Sequence, residues 1–250
     1  MYQNERELEI QKILSREDYV TVKQLSQWLY TSESSIRRDL ASLERRGLVK
    51  RSYGGVELVK RSTLVLPFSA RAHYNIPAKK IMARKAAALV REGDIVFLDQ
   101  SSSAFFVAGE LQRRGDITVV TNNVEIIGLL SQSEMEVVSC GGSLSKTNRN
   151  CLVGDDAHRI FREIRANVLF FSSKALSPEG VIYDCYREEV CIRNTMLAHA
   201  EKRVFLCASE KFGSYAGYRQ GCLEDVDLLI TEKDKTDISR QMNLQGVEVI

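Results

Sequence analysis

Between residues 81 and 230, short apolar runs rich in β-branched and aromatic residues alternate with stretches of helical periodicity, and that regularity leaves few folds open. The runs at 95–98, 117–120, 136–139, 168–171, 204–207 and 228–230 read as strands, and helical patterns fall at 81–90, 104–111, 124–130, 157–164 and 188–200. Strands separated by helices pair in parallel, and crossover helices then cover both faces of the sheet. Residues 78–250 are therefore expected to form an α/β domain around a mostly parallel sheet.

The first sixty residues follow a different pattern. Ile10, Ile13 and Leu14 recur at i, i+3, i+4, which predicts an amphipathic helix over 3–15, followed by a short extended piece at 19–22. A second helix carries Leu25, Trp28 and Leu29 as its apolar stripe, with Trp28 expected as a core anchor. Ser32 is a suitable N-cap for a third helix that buries Ile36, Leu40 and Leu43. Ser34, Arg38, Ala41 and Arg45 then face the other way with Arg37 on the flank, and Gly47 is placed as a C-cap. From 48 to 59 a Gly54-Gly55 turn joins two alternating runs and predicts a β-hairpin. Three helices and a hairpin make a winged helix-turn-helix over residues 1–59.

Charge separates this region from the rest. The chain carries a net +2, but residues 34–61 contain eight basic and three acidic residues, a net +5 that leaves −3 elsewhere. A narrow basic helix face edged with small hydroxyls can settle in a major groove, where arginines fork onto guanine edges or phosphates. Double-stranded DNA is the expected partner, with Ser32, Ser34, Ser35, Arg37, Arg38, Arg45, Lys50, Arg51, Tyr53 and Gly54 as contact candidates. Residues 60–77 lose apolar periodicity and read as a linker that docks onto the larger domain.

In parallel sheets ligands bind beyond the carboxyl ends of the strands. Here those ends read Asp99-Gln100-Ser101-Ser102-Ser103, Thr121-Asn122-Asn123, Cys140-Gly141-Gly142-Ser143 and Ser209-Glu210-Lys211-Phe212-Gly213. Hydroxyls and backbone N–H groups at a helix N-terminus attract anions, so four such loops on one sheet point to a small anionic ligand. The six cysteines form no C-x-x-C pair and match no histidine spacing, so neither a metal site nor a disulfide frame is expected. Cys140 and Cys207 lie in apolar runs and are expected as buried small hydrophobes. A charged N-terminus and the lack of an apolar run near the ~20 residues needed to span a bilayer point to the cytoplasm.

The strings Ser32-Glu33-Ser34-Ser35-Ile36-Arg37-Arg38-Asp39-Leu40, Leu43-Glu44 and Arg51-Ser52-Tyr53-Gly54-Gly55 resemble the N-terminal domain of the DeoR family of bacterial transcription regulators. The resemblance extends to Leu98-Asp99-Gln100-Ser101-Ser102-Ser103, Val120-Thr121-Asn122, Gly141-Gly142, Glu188-Glu189-Val190-Cys191-Ile192-Arg193 and Glu210-Lys211-Phe212-Gly213. It implies a C-terminal domain similar to sugar-phosphate isomerases that senses an effector without catalysis or cofactor. It further implies a homo-oligomer, dimer or tetramer, that represses carbohydrate-metabolism genes and is released by a phosphorylated sugar or related metabolite. The effector residues so implied are Asp99, Ser101, Ser102, Ser103, Asn122, Gly141, Gly142, Glu188 and Lys211. This chain departs from the family pattern at Tyr30-Thr31, Tyr53, Ser101, Ala208 and Ser172-Ser173-Lys174. A Cβ at Ser101 narrows the approach to a phosphate, Ala208 removes a carboxylate, and Lys174 offers a compensating charge. Two rivals stand beside this expectation: a regulator whose effector lacks a phosphate, with the Ser101–Ser103 run serving only as a helix cap, and a sugar-phosphate isomerase using Asp99, Glu188, Glu189 and Lys211.

Overall fold

A computed structural model of the chain describes residues 3–14, 17, 19–45, 49–52, 54–58, 66–234, 238 and 247–250. It divides into two units, Met1–Ala70 and Arg71–Ile250. Gly47, Tyr53, residue 59 and residues 60–65 of the expected linker lie outside the described residues.

The first unit contains α1 (Gln3–Leu14), β1 (Val20–Thr21), α2 (Val22–Trp28), α3 (Glu33–Arg45), β2 (Val49–Ser52) and β3 (Gly55–Leu58). β2 and β3 form the expected antiparallel hairpin, and β1 adds to its other edge to give the order β1-β3-β2. Ile10, Leu14, Leu25, Leu29, Ile36, Leu40, Leu43, Val49 and Val56 share one core. Thr21 and Gln24 form a capping box that starts α2. Trp28 is not in that core; it is 48% exposed. Val22, Leu25 and Leu29 fill the inward stripe of α2, and at about 100° per residue Trp28 lies roughly 60° beyond its edge.

Two details hold this unit together. Asp39, buried within α3, accepts a bidentate pair of hydrogen bonds from Arg6, with Nε at 2.5 Å and Nη2 at 3.1 Å, which fixes α1 against α3. Gly55 permits the crossing of β1 and the hairpin, since a Cβ there meets the Tyr19 ring at 2.4 Å and the Val20 carbonyl oxygen at 2.8 Å. Gly55→Ala is therefore expected to destabilise the first unit by about 1–3 kcal/mol through overpacking. Urea unfolding followed by the fluorescence of Trp28, the single tryptophan of the chain, measures it; an unchanged midpoint refutes the close packing at Gly55.

The second unit is a three-layer α/β fold. In chain order its elements are α4 (Phe68–His73, across the unit boundary), α5 (Ile76–Ala87), β4 (Ile95–Leu98), α6 (Ser102–Leu111), β5 (Thr118–Thr121), α7 (Val124–Leu130) and β6 (Glu136–Ser139). There follow β7 (Ser143–Leu144), β8 (Leu152–Val153), α8 (Asp155–Glu163), β9 (Ala166–Phe171), β10 (Ala175–Leu176), β11 (Val181–Asp184) and α9 (Arg187–Ala198). β12 (Ala200–Leu206), β13 (Tyr218–Cys222), β14 (Leu228–Ile230) and β15 (Glu248–Val249) complete it. Seven strands in the order β15-β14-β12-β9-β4-β5-β6 pair in parallel throughout. Alternate residues face opposite layers: Val96, Leu98, Val119, Phe170, Val204 and Leu206 pack with Met82, Ala86, Val107, Leu111 and Ile126 of α5, α6 and α7. Phe97, Val120, Leu169, Phe171 and Phe205 pack with Phe161, Ile192 and Met196 of α8 and α9.

Three features differ from the sequence expectation. The stretch read as linker holds α4 and the start of α5, and a lysine of the next helix, Lys79, donates to the Arg71 and Tyr74 carbonyls in and just past the last turn of α4. A hairpin of β7 and β8 and an antiparallel sheet β10-β11-β13 are additional. These strands are short, and their pairing spans up to about forty residues, so no local periodicity announces them. Among the described residues no helix is long and apolar enough to cross a membrane.

Candidate functional site

Each unit gathers its own set of residues. In the first, α3 exposes Ser34, Arg37 and Arg38 on the side opposite Ile36, Leu40 and Leu43. Ser32 Oγ accepts the Ser35 backbone N–H at 3.3 Å, donates to Ser35 Oγ at 3.1 Å and lies 3.0 Å from Ser34 Oγ. Three hydroxyls thus crowd the helix N-terminus, whose free N–H groups and positive dipole end suit a DNA phosphate. Arg37 pairs with Glu33 one turn earlier at 3.2 Å, and Lys50 faces Glu57 across the hairpin at 3.7 Å. Gly54 turns the hairpin with φ +83°, a conformation suited to glycine.

Arg51 has a second role that its charge alone does not reveal. Its backbone N–H and its Nε donate to the two carboxylate oxygens of Glu44, at 3.2 and 2.6 Å, which ties β2 to α3. These hydrogen bonds hold the Glu44 carboxyl below its ordinary range. Arg38, by contrast, makes one weak contact among the described residues, to Ser35 Oγ at 3.4 Å, and faces no carboxylate there. Arg45 lies in the last turn of α3.

In the second unit the chain runs from β4 outward through β5 to β6, then returns across β4 to β9 and continues the other way. The strand order reverses between β4 and β9, the position where a parallel sheet opens a crevice for a ligand. Asp99 stands there, fully buried. Its Oδ1 accepts the Ser101 N–H at 3.0 Å, while its Oδ2 accepts the Ser172 N–H at 3.2 Å and Arg193 Nε at 3.0 Å. Ser101 Oγ caps α6 by accepting the Ala104 N–H at 3.0 Å, and Asn123 caps α7 through the Glu125 and Ile126 N–H groups. Ser102 and Ser103 occupy the first turn of α6, buried beside Asp99.

Around this core the strand-end side chains hydrogen-bond to one another. Gln100 Nε2 donates to Glu189 Oε2 at 2.9 Å, and Asn148 Nδ2 donates to Glu189 Oε1 at 2.7 Å. Burial raises the Glu189 carboxyl above its ordinary range, with the charge of Asp184 adding to it. Asn122 Nδ2 points at Gln100 Oε1 and the Leu152 carbonyl, whereas Asn122 Oδ1 is buried and accepts no hydrogen bond in the described structure. Arg193 Nη1 reaches Asp184 at 2.9 Å and Gln220 at 2.6 Å. Burial disfavours the Arg193 charge, but Asp184 and Asp99 together outweigh that cost and raise its pKa. Lys211 Nζ donates to Ser172 Oγ at 2.8 Å and the Ser173 carbonyl at 2.7 Å.

The residues named from sequence divide accordingly. Asp99, Ser101, Asn122 and Lys211 lie past the ends of β4, β5 and β12, and Ser102 and Ser103 open α6 directly after the first of these loops. Lys174 sits two residues past Ser172, where its backbone N–H donates to Tyr183 and opens the β10–β11 hairpin. Gly141 and Gly142 adopt φ +68° and +91° and are exposed; a Cβ on Gly142 meets the Val153 carbonyl oxygen at 2.5 Å, so that glycine serves close packing against β8. Glu188 is exposed and does not join the cluster; Glu189 does. The signal was present, since Glu189, Ile192, Arg193 and Met196 recur at i, i+3, i+4, i+7 and are all buried on one face of α9. Gln100, Asn148 and Arg193 join the cluster although sequence reasoning did not select them. Near Ala208, Glu232 supplies a carboxylate from the end of β14 that accepts from the Ser209 N–H at 3.0 Å.

Residues 74–233 match the family model of the DeoR C terminal sensor domain, and residues 6–62 match that of the DeoR-like helix-turn-helix domain. The chain belongs to the DeoR family of transcription regulators. It is 30% identical to the HTH-type transcriptional regulator GlpR of Haloferax volcanii over 98% of this chain and 96% of that one. It is 31% identical to the HTH-type transcriptional regulator GolR of Listeria innocua, over 93% and 91%. The HTH-type transcriptional repressor GlcR of Bacillus subtilis is 29% identical over 93% and 90%. This DeoR-family protein is therefore a DNA-binding regulator and not an enzyme. Burial pushes the Cys140 and Cys207 thiols up to about 12 and Cys151 well above its ordinary range, and Cys140 and Cys207 sit in the core as the apolar runs predicted.

Proposed function

We propose that this DeoR-family protein is a cytoplasmic repressor of carbohydrate-metabolism genes. It binds double-stranded operator DNA through α3 and the β2–β3 wing, and is released when a phosphorylated sugar or similar small anion occupies the β4/β9 strand ends. The observation that carries the effector half is the convergence of Ser101, Ser102 and Ser103, at the N-terminus of α6, with the Lys211 ammonium across Asp99 and Ser172. Helix N–H groups and a lysine supply the donors and charge that a phosphate takes, while the free acceptor of Asn122 suits a sugar hydroxyl. A homo-oligomer, dimer or tetramer, presents two recognition helices to half-sites about one helical turn apart, and a ligand that favours another spacing lowers operator affinity. The name of the B. subtilis repressor among its relatives supports repression as the sense of control.

Fluorescence anisotropy on the DNA upstream of its own gene tests this, at fixed salt because phosphate contacts make affinity salt-dependent. A panel of sugar phosphates and their unphosphorylated parents is added. Release by one phosphorylated compound and not by its parent is the expected result; equal release by both moves the effector to a neutral sugar. Lys211→Ala is expected to abolish that release with operator affinity within about twofold of wild type, since a lost charge-assisted contact costs roughly 1.5–3 kcal/mol of ligand affinity. Undiminished release removes Lys211 from the effector site.

A further inference from the structure

α4 and α5 meet at Asn75, whose backbone is left-handed with φ +49° and whose side chain does not cap α5. Its Nδ2 instead donates to Glu210 Oε2 at 2.9 Å, across a sequence separation of 135 residues. Glu210 immediately precedes Lys211, whose ammonium holds Ser172 and Ser173 at the end of β9. On the same turn Lys79 Nζ donates to the Arg71 carbonyl, which also accepts the Tyr74 N–H at 3.2 Å, and, at 2.5 Å, to the Tyr74 carbonyl. Lys79 is 7% exposed and lies 6.0 Å from the centre of the Phe106 ring. Burial lowers it to about 7, with the positive charge of Lys211 adding to the shift and Glu210 opposing it, which makes Lys79 an electrostatic neighbour of the Lys211 loop. The boundary between the two units falls inside α4.

A glycine would adopt the Asn75 backbone with less strain, and an apolar side chain would fill the Lys79 site without the cost of burying an amine. What Asn75 and Lys79 add is hydrogen bonding that joins two distant pieces of chain: the loop carrying Lys211 and the helix containing the unit boundary. We infer that Asn75, Lys79 and Glu210 are positioning residues that lock the Lys211 loop to α4, so that a ligand drawing Lys211 toward itself unlocks the helix through which the DNA-binding unit is attached. The ligand part of this inference rests on the effector reading above; the lock itself does not.

Hydrogen exchange on the full-length protein tests the lock without any ligand. Asn75→Gly keeps the left-handed backbone and removes only the side-chain hydrogen bond, Glu210→Ala removes its acceptor, and Glu210→Gln retains a carbonyl that can accept. The first two are expected to speed exchange roughly fivefold both in 68–74 and in 209–212, while Glu210→Gln stays near wild type. Faster exchange confined to one segment, or equal effects of Glu210→Gln and Glu210→Ala, overturns the inference. The unlocked helix is the released state, so Asn75→Gly without ligand is expected to bind operator at least fivefold more weakly than wild type and, with a panel compound that releases wild type, to show a smaller further loss while binding that compound at least as tightly by calorimetry; wild-type operator affinity together with wild-type release overturns the inference. If no compound in the panel releases wild type, the effector reading fails and the exchange result alone decides the lock.

Discussion

Arg193→Met is expected to destabilise the second unit by about 3–5 kcal/mol. Arg193 is 1% exposed and bridges Asp99 at 3.0 Å, Asp184 at 2.9 Å and Gln220 at 2.6 Å, so it compensates two carboxylates that water barely reaches. Methionine fills much of the same volume, so the loss is electrostatic rather than a cavity. Arg193→Lys keeps the charge but cannot reach both aspartates with a planar fork, and an intermediate loss is expected. Urea unfolding followed by far-UV circular dichroism measures the second unit, while Trp28 fluorescence, which reports the first unit, is expected to change little. A far-UV midpoint within about 0.5 kcal/mol of wild type removes Arg193 as the charge that holds the strand ends together. The effector response of the variant is expected to fall with stability, because Asp99 also orders the Ser101 and Ser172 backbone.

Arg38→Ala is expected to weaken specific operator binding by about 1–3 kcal/mol, roughly 5- to 150-fold, if its guanidinium forks onto a base edge. Among the described side chains, Arg38 makes one contact, at 3.4 Å, whereas Arg37, Lys50 and Arg51 each face a carboxylate. An arginine already paired must give up that partner to reach DNA, which discounts its net contribution. Anisotropy titrations at several salt concentrations separate two modes of contact. Loss of affinity for operator but not for random DNA marks a base contact; a uniform loss with a shallower salt dependence marks a phosphate. Unchanged affinity for both shows that α3 does not present Arg38 to the groove. Arg51→Ala is a useful contrast, since losing the Glu44 clamp between β2 and α3 is expected to lower the stability of the first unit as well as DNA affinity.

Much of this architecture was legible before any tertiary contact was known. The period-2 and period-3.6 patterns placed six of the seven strands of the main sheet, and their alternation with helices dictated parallel pairing and two covered faces. The stripe Ile36, Leu40, Leu43 set the phase of α3, and with it the exposure of Ser34, Arg37 and Arg38, because one buried face of a helix defines the opposite one. Chemistry at the strand ends was visible for the same reason: a parallel strand and the helix that follows bring their loop to one edge of the sheet.

What the local pattern could not decide was which of two adjacent candidates faces inward and what each one meets there. Trp28 sits just outside its stripe and is exposed, while Glu189 rather than Glu188 enters the core, because helix phase relative to the sheet is set by packing and not by residue type. The partners of Asp99 come from 73 and 94 residues away, and those of Glu189 from 41 and 89. Sequence alone therefore determined the main helices and strands, their order and the edge of the sheet where polar residues gather. Only the tertiary structure decided that Arg193 neutralises that edge and that Asn75 and Lys79 tie it to α4, since such pairings depend on long-range geometry that no local periodicity encodes.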